Sequence, residues 1–404
     1  MDDYFPQGEK DEMQKFLIVS EPCISSPMNR RGIGGSLYCM IKAQKDFTVD
    51  LLYLDEKDPE SEEEMRRYFR NIYHVDAKKD SAHGSRILSA LKGRPRLVGS
   101  YDLKKIAFAG IPLEEYDGLI YNTVSVLGLS PLFAGRYQIA FMIDSMSMFY
   151  ERRSRREHGI RSLYSRMQAR LMQRYTEKYI PVMDKLVYVS KVDCEYEKRR
   201  HPAFSDKFCY VSNGVFRREI QDTPGEQGMG LSLVFSGIMT YPPNKDAALF
   251  LAREIFPGLR GRFRGIRLYL VGKDPDAEIL ACGSEDVIVT GKVPSVYAYM
   301  KGASLYVSPL LYGSGMKNKL LEAMACRKAI VASPVSVEGI RKLQNGKNID
   351  IVTGGAAEWI QHIASLLSDP VREESYAAQC IEIIRKDYSW DDAFRKLVSD
   401  GRQA

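Results

Sequence analysis

The chain has 404 residues, of which 45% are apolar and 27% charged, a length and mixture that suit two globular domains and set aside disordered, collagen-like and coiled-coil classes. A formal charge of +6 is small for this length, whereas a dedicated nucleic-acid binder carries a larger excess on one element. Seven cysteines, an odd number with no C-x-x-C spacing, speak against a disulfide framework or a zinc site and fit a reducing cytosol. Residues 1–15 form an acidic, polar extension without the apolar run of an export signal. No later window reaches the ~18 uninterrupted apolar residues of a membrane span.

Phe16-Leu-Ile-Val-Ser20 reads as a strand, followed by the glycine-rich Arg30 to Ser36 and an amphipathic helical stretch. Apolar runs of strand length recur at 49–54, 118–121, 139–144 and 185–190, separated by segments of helical length. Between Glu151 and Arg174 eight arginines face two glutamates, so the whole formal excess can sit in this stretch. The second half repeats the alternation at 231–237, 267–272, 287–291, 305–309 and 329–333. Alternating strands and helices imply parallel sheets covered by helices, with ligands beyond the carboxyl ends of the strands. Asn213-Gly214 and Thr223 to Gly228 supply turn and linker chemistry, which places a domain boundary between 210 and 231.

The segment Tyr312-Gly-Ser-Gly-Met-Lys-Asn-Lys-Leu-Leu-Glu-Ala-Met-Ala325 directly follows the strand ending near Pro309. Glycines open the loop and helix formers follow, so free backbone N–H groups and the helix dipole favour an anion there. Lys317 and Lys319 add positive charge beside those amides, and Glu322 offers two acceptor oxygens suited to a vicinal pair of sugar hydroxyls. A nucleotide diphosphate with its ribose fits this set as well as an ordinary glycine-rich helix start with solvated lysines does.

The same residues resemble the donor region of family-4 glycosyltransferases of the GT-B fold, in the bacterial subgroup with a Gly-Ser-Gly-x-Arg/Lys loop. Further similar segments are Phe235-Ser-Gly-x-Met239-x-Tyr241-x-Pro243-Asn244, Val271 to Pro275, Val289 to Pro294, Glu338-Gly339, Asp144-Ser145-x-Ser147, Val189-Ser190-x-x-Asp193 and Asn213-Gly-Val215. The resemblance spans roughly 16–395. It implies an α/β protein of two Rossmann-like, doubly wound parallel-sheet domains facing each other across a cleft. Residues 16–215 would bind the acceptor, 216–375 the nucleotide sugar, and 376–404 would cross back to the first domain.

In the donor site so implied, Glu322 holds the ribose, and Ser314, Gly315, Met316, Lys317 and Lys319 surround the diphosphate. Gly237 lies at the first strand end, Gly291, Lys292 and Val293 lie near the base, and Gly34 and Gly35 form the glycine loop of the first domain. Lys317 and Lys319 would stabilise the leaving diphosphate without a metal or other cofactor, and Asp144 would accept a hydrogen bond from the acceptor hydroxyl or cap a helix. The chain departs from many relatives in having Ser314 for an acidic residue and Ile238 and Asn244 for a basic pair, which Lys317 and Lys319 are placed to offset, and in lacking a histidine near Asp144.

The implied activity is retaining transfer from a UDP-sugar, in preference to a GDP-sugar, to a glycan or lipid-linked acceptor of a bacterial surface polysaccharide or glycolipid. Alternatives are a GT-B epimerase or hydrolase and a noncatalytic nucleotide-sugar sensor or scaffold. The arginine-rich stretch Arg152 to Arg174 is read as a solvated helix or as a contact with anionic membrane, with Met146, Met148, Phe149 and Tyr150 as neighbouring apolar groups. No recognition motif for nucleic acid accompanies it. The expected location is the cytoplasm, peripheral to the inner face of the cell membrane.

Overall fold

The computed structural model describes residues 13–24, 35–77, 94–98, 101–107, 110–313 and 315–399. Two compact units emerge. The first takes the chain up to Val189, Asp193–Val211 and the segment from Trp390, and the second takes Ser190–Val192 and Ser212–Ser389.

In the first unit β1 (Lys15–Ser20), β2 (Thr48–Tyr53), β3 (Ile72–His74), β4 (Gly118–Asn122), β5 (Tyr137–Ile143), β6 (Lys185–Tyr188) and β7 (Phe208–Tyr210) form one sheet in the order β3-β2-β1-β4-β5-β6-β7. Each neighbouring pair is parallel, Phe16 standing opposite both Val49 and Gly118. A parallel sheet is covered on both faces, which is why Leu17, Ile18 and Val19 are all buried and why its strands read as continuous apolar runs. One charged exception is Asp50 in β2, which is fully buried. It is held by Arg70 Nη2 at 2.7 Å, the Tyr116 hydroxyl at 2.6 Å and the Asn71 amide at 3.0 Å. Burial alone would raise its pKa, but these donors outweigh burial and hold the carboxyl below its ordinary value.

The second unit holds β8 (Ser232–Ser236), β9 (Arg267–Val271), β10 (Val287–Gly291), β11 (Leu305–Ser308), β12 (Ala329–Ala332) and β13 (Asp350–Ile351), all parallel, in the order β10-β9-β8-β11-β12-β13. Both sheets run outward from their first strand to one side and resume on the other. The order reverses between β1 and β4, and again between β8 and β11. At such a switch point the loops leave in opposite directions and open a crevice beyond the strand ends.

The first bound, between Val211 and Ser212, falls within the expected 210–231, while the second lies later than the expected end at 375. The helix Pro370–Asp387 belongs wholly to the second unit, where it buries Tyr376, Ala377, Cys380, Ile383 and Ile384 and packs on β12 and the helix Asn318–Ala325. Only the chain from Trp390 returns to the first unit. There Phe394 packs against Phe16 and Phe47 with ring centres 6.3 and 5.5 Å away. The buried Lys185 Nζ donates to the carbonyls of Lys396, Leu397 and Ser399 at 2.8 to 3.1 Å, closing the end of the helix Ala393–Val398.

Candidate functional site

The switch point of the second sheet gathers most of the residues singled out in this half of the chain. β8 ends at Ser236 and continues through Gly237, whose amide donates to the Val271 carbonyl at 3.0 Å. A Cβ on Gly272 would lie 1.8 Å from the Gly237 carbonyl oxygen, and one on Gly237 would lie 2.6 Å from Asn244 Nδ2. These two glycines let the ends of β8 and β9 close up and make room for Asn244, which donates to the Ile238 carbonyl at 2.9 Å.

From the other side of the reversal, β11 ends in the glycine loop and the helix Asn318–Ala325, anchored by the buried Leu320, Leu321, Ala323 and Met324. The anchoring turns Lys319 and Glu322, one turn apart, toward the strand ends. Lys319 Nζ donates to Asn244 Oδ1 at 2.5 Å and stands 4.4 Å from the centre of the Phe235 ring. Position 244, expected from the resemblance to be basic, thus receives its positive charge from Lys319 on the opposite helix. Lys317 Nζ folds back to the Gly315 carbonyl at 2.6 Å, and Gly313 and Gly315 take φ of 144° and 72°, conformations that favour glycine. Asn213 Nδ2 donates to Asn318 Oδ1 at 2.6 Å, tying the start of this unit to the helix entry.

Lys319 and Glu322 keep part of their surface open while protein atoms crowd the rest. Burial, reinforced by the Lys317 ammonium, pulls Lys319 down to about 7, against the opposing pull of Glu322. Burial pushes Glu322 up to about 7, against the pull of Lys319. A carboxylate and an ammonium that both pay for desolvation without forming a direct ion pair make a site suited to a ligand with both hydroxyls and negative charge.

The other residues singled out fall elsewhere. Gly291 ends β10 with φ 65°, followed by the exposed Lys292 and the buried Val293. β10 is two strands from β8, so this end lies roughly 10 Å along the sheet from Gly237. Met316 is buried, with its sulfur 3.9 Å from the Ser212 hydroxyl. Gly35 opens the helix Gly35–Ala43 of the first unit, while Gly34 and Ser314 lie outside the described residues. Trp359 and Trp390 are buried. Phe235, Asn213 and Asn318 were not singled out as site residues. Asn244 stood in the segment Phe235 to Asn244 that carries the resemblance and marked a break in a basic pattern, and those were the signals pointing to it.

In the first unit Asp144 follows Ile143, whose φ of 64° places a β-branched residue in the left-handed region where the β5–β6 register shifts. Asp144 is not the cap of the next helix. That role belongs to Ser145, whose Oγ accepts from the Met148 amide at 3.1 Å. Behind it stand two buried acids. Asp193 accepts the Ser145 amide at 2.7 Å, and Glu197 accepts the hydroxyls of Ser145 and Ser147 at 2.5 and 2.7 Å. Glu197 gave no signal in the sequence, because its partners lie 52 and 50 residues away.

The apolar groups expected beside the arginines are not exposed. Met148 and Tyr150 are buried, and Met146 and Phe149 pack against the core of the first unit. The exposed apolar residues of this region sit on the following helix, Gly159–Tyr179: Ile160, Leu163, Tyr164 and Met167.

Residues 230–369 match the protein family described as Glycosyl transferases group 1. Over 411 aligned residues, 96% of this chain and all of the relative, the chain is 23% identical to an uncharacterised 44.6 kDa protein in the cps region of Klebsiella pneumoniae. It is 26% identical over 189 residues to the phosphatidyl-myo-inositol mannosyltransferase of Mycobacterium leprae, covering 45% of this chain and 49% of that protein. In structure it is similar to Anabaena HepE in complex with UDP-glucose, with a TM-score of 0.66 and 13% identity over 95% of this chain and 98% of that one. With the second unit similar to glycosyl transferases group 1 and the two parallel sheets those of the GT-B fold, the chain is a glycosyltransferase.

Proposed function

We propose that the enzyme moves a hexosyl group from a nucleoside-diphosphate sugar, a UDP-sugar in preference to a GDP-sugar, to a glycan or lipid-linked acceptor, with retention of configuration and without a metal. It does so as a family-4 enzyme of the Gly-Ser-Gly-x-Arg/Lys subgroup, in assembly of a bacterial surface polysaccharide or glycolipid at the inner face of the cell membrane. The observation that carries this reading is the meeting of Lys319, Glu322 and the glycine loop at the switch point of the second sheet. The cps-region relative and the UDP-glucose complex of HepE support it.

In the proposed reaction the bond between the anomeric carbon and the β-phosphate oxygen breaks, and negative charge grows on the departing diphosphate. Lys317, Lys319 and the loop amides meet that charge, an electrostatic stabilisation that strengthens in the transition state. Glu322 accepts from the ribose hydroxyls, and Gly291, Lys292 and Val293 flank the base, one side of the sheet away. The acceptor oxygen bonds to the anomeric carbon on the face the diphosphate leaves, and its proton passes to a phosphate oxygen. Asp144 accepts a hydrogen bond from that hydroxyl.

Calorimetric titration with UDP and GDP, followed by incubation with a panel of nucleotide sugars and a glycan and lipid extract, tests the reading. Tighter UDP binding and a product with the donor's anomeric configuration are expected. Nucleotide binding with neither transfer nor slow donor hydrolysis would instead make the protein a noncatalytic sensor.

A further inference from the structure

The helix Gly159–Tyr179 is inverted over its first half. Its protein-facing side carries the buried polar residues Ser162, Ser165 and Gln168. Ser162 donates to the Ser154 carbonyl at 2.7 Å, Ser165 donates to Glu157 at 2.5 Å, and Gln168 accepts the Arg96 amide at 2.9 Å. Its outward side carries Ile160, Leu163, Tyr164 and Met167, spaced so that they line one face over two turns. Ile160 is 87% exposed and Leu163 68%. A water-facing helix normally has the opposite arrangement, so this face is built for something other than water.

The charge beside it says what. Arg166 and Arg170 follow on the same helix and, with Arg155 and Arg200, line a cavity of about 360 Å³. Glu151 in the wall is already held by Tyr196 at 2.5 Å and Arg155 at 2.6 Å. Among the described residues no carboxylate pairs with Arg166 or Arg170. An occupant must therefore be apolar and anionic at once. A second copy of the chain would need an acidic face to match, whereas a bilayer with anionic lipid offers acyl chains and phosphates within a few ångströms of each other.

We propose that this face docks on a bilayer containing anionic lipid. The four apolar side chains enter the boundary between headgroups and acyl chains, and Arg166 and Arg170 meet lipid phosphates. The helix lies in the plane of the interface, and among the described residues no helix is long and apolar enough to cross a membrane. The inference deepens the membrane reading proposed above and needs neither donor nor acceptor to be known.

The test is sedimentation with vesicles of phosphatidylcholine alone and of phosphatidylcholine mixed with phosphatidylglycerol, at low and high salt. Binding to the mixed vesicles only, weakened by salt, is expected. Arg166→Gln with Arg170→Gln should lose roughly 25-fold in partitioning, about fivefold per charge. Ile160→Ser with Leu163→Ser should lose more than about tenfold at either salt. Because these side chains are exposed, the variants should keep the wild-type melting temperature. Equal binding to both vesicles, unchanged binding by either variant, or a dimer in solution that Ile160→Ser dissolves in a protein that ignores vesicles would overturn the docking. Transfer to a water-soluble acceptor is read in parallel. Variants that lose vesicles but keep transfer bear out the docking, while a wild type that binds vesicles and transfers nothing refutes the proposed reaction and leaves the docking standing.

Discussion

Lys319 holds a position that costs stability. Its folded pKa, down to about 7, lies below that of a lysine in the unfolded chain, so folding is penalised where the unfolded state keeps the proton more readily. That penalty is fully present below about pH 7 and fades as pH rises toward the ordinary lysine value. Lys319→Met should therefore raise the melting temperature of the ligand-free protein more at about pH 6 than at about pH 9.5, a pattern thermal denaturation can read. In the opposite direction, Lys319→Ala should lower turnover by about a hundredfold or more while nucleotide binding weakens much less, because the charge is worth most in the transition state. Glu322→Gln should act on binding instead. In the proposed site it removes a charged acceptor for the ribose, so UDP affinity should fall about tenfold in calorimetry. Wild-type kinetics in both variants would remove these residues from the site. The glycine-rich turn into the helix that carries them was legible in the sequence, where its residues alone fitted a solvated helix start equally well, whereas the contact of Lys319 with Asn244 was not, since the partners are 75 residues apart.

The element scale separates strands by their place in the sheet. The ten longer runs announced themselves because both faces are covered and most positions are apolar. β3, β7 and β13 did not, because they have two or three residues and lie at sheet edges, too short for any periodicity. The close approach of β8 and β9 rests on glycine. Gly272→Ala forces a Cβ to within 1.8 Å of the Gly237 carbonyl and should cost about 2–4 kcal/mol in denaturant unfolding, with loss of UDP binding as the Asn244 and Lys319 contacts shift. Gly346→Ala is the control. Its φ is 73° with open space around it, so it should cost only about 1–2 kcal/mol and leave binding intact.

For the molecule as a whole, the chain's return from Trp390 to its first unit is secured by the packing of Phe394, by the Arg395–Asp46 pair and by Lys185, whose ammonium closes the end of the last helix. Lys185→Met strands three carbonyls at the end of a helix and should cost about 2–4 kcal/mol. Faster amide exchange at residues 393–399 than elsewhere in the first unit would confirm that the loss begins there. The sequence by itself determined the two parallel sheets and the glycine loop that opens the helix Asn318–Ala325, since apolar runs and glycines act on their own neighbourhood. Tertiary structure alone decided that Ser145 rather than Asp144 caps a helix, that Asp193 and Glu197 stand behind that turn, and that the arginine-rich region turns Ile160 and Leu163 outward. Each of these depends on what a distant segment places opposite a side chain, and that is set only when the sheets are assembled.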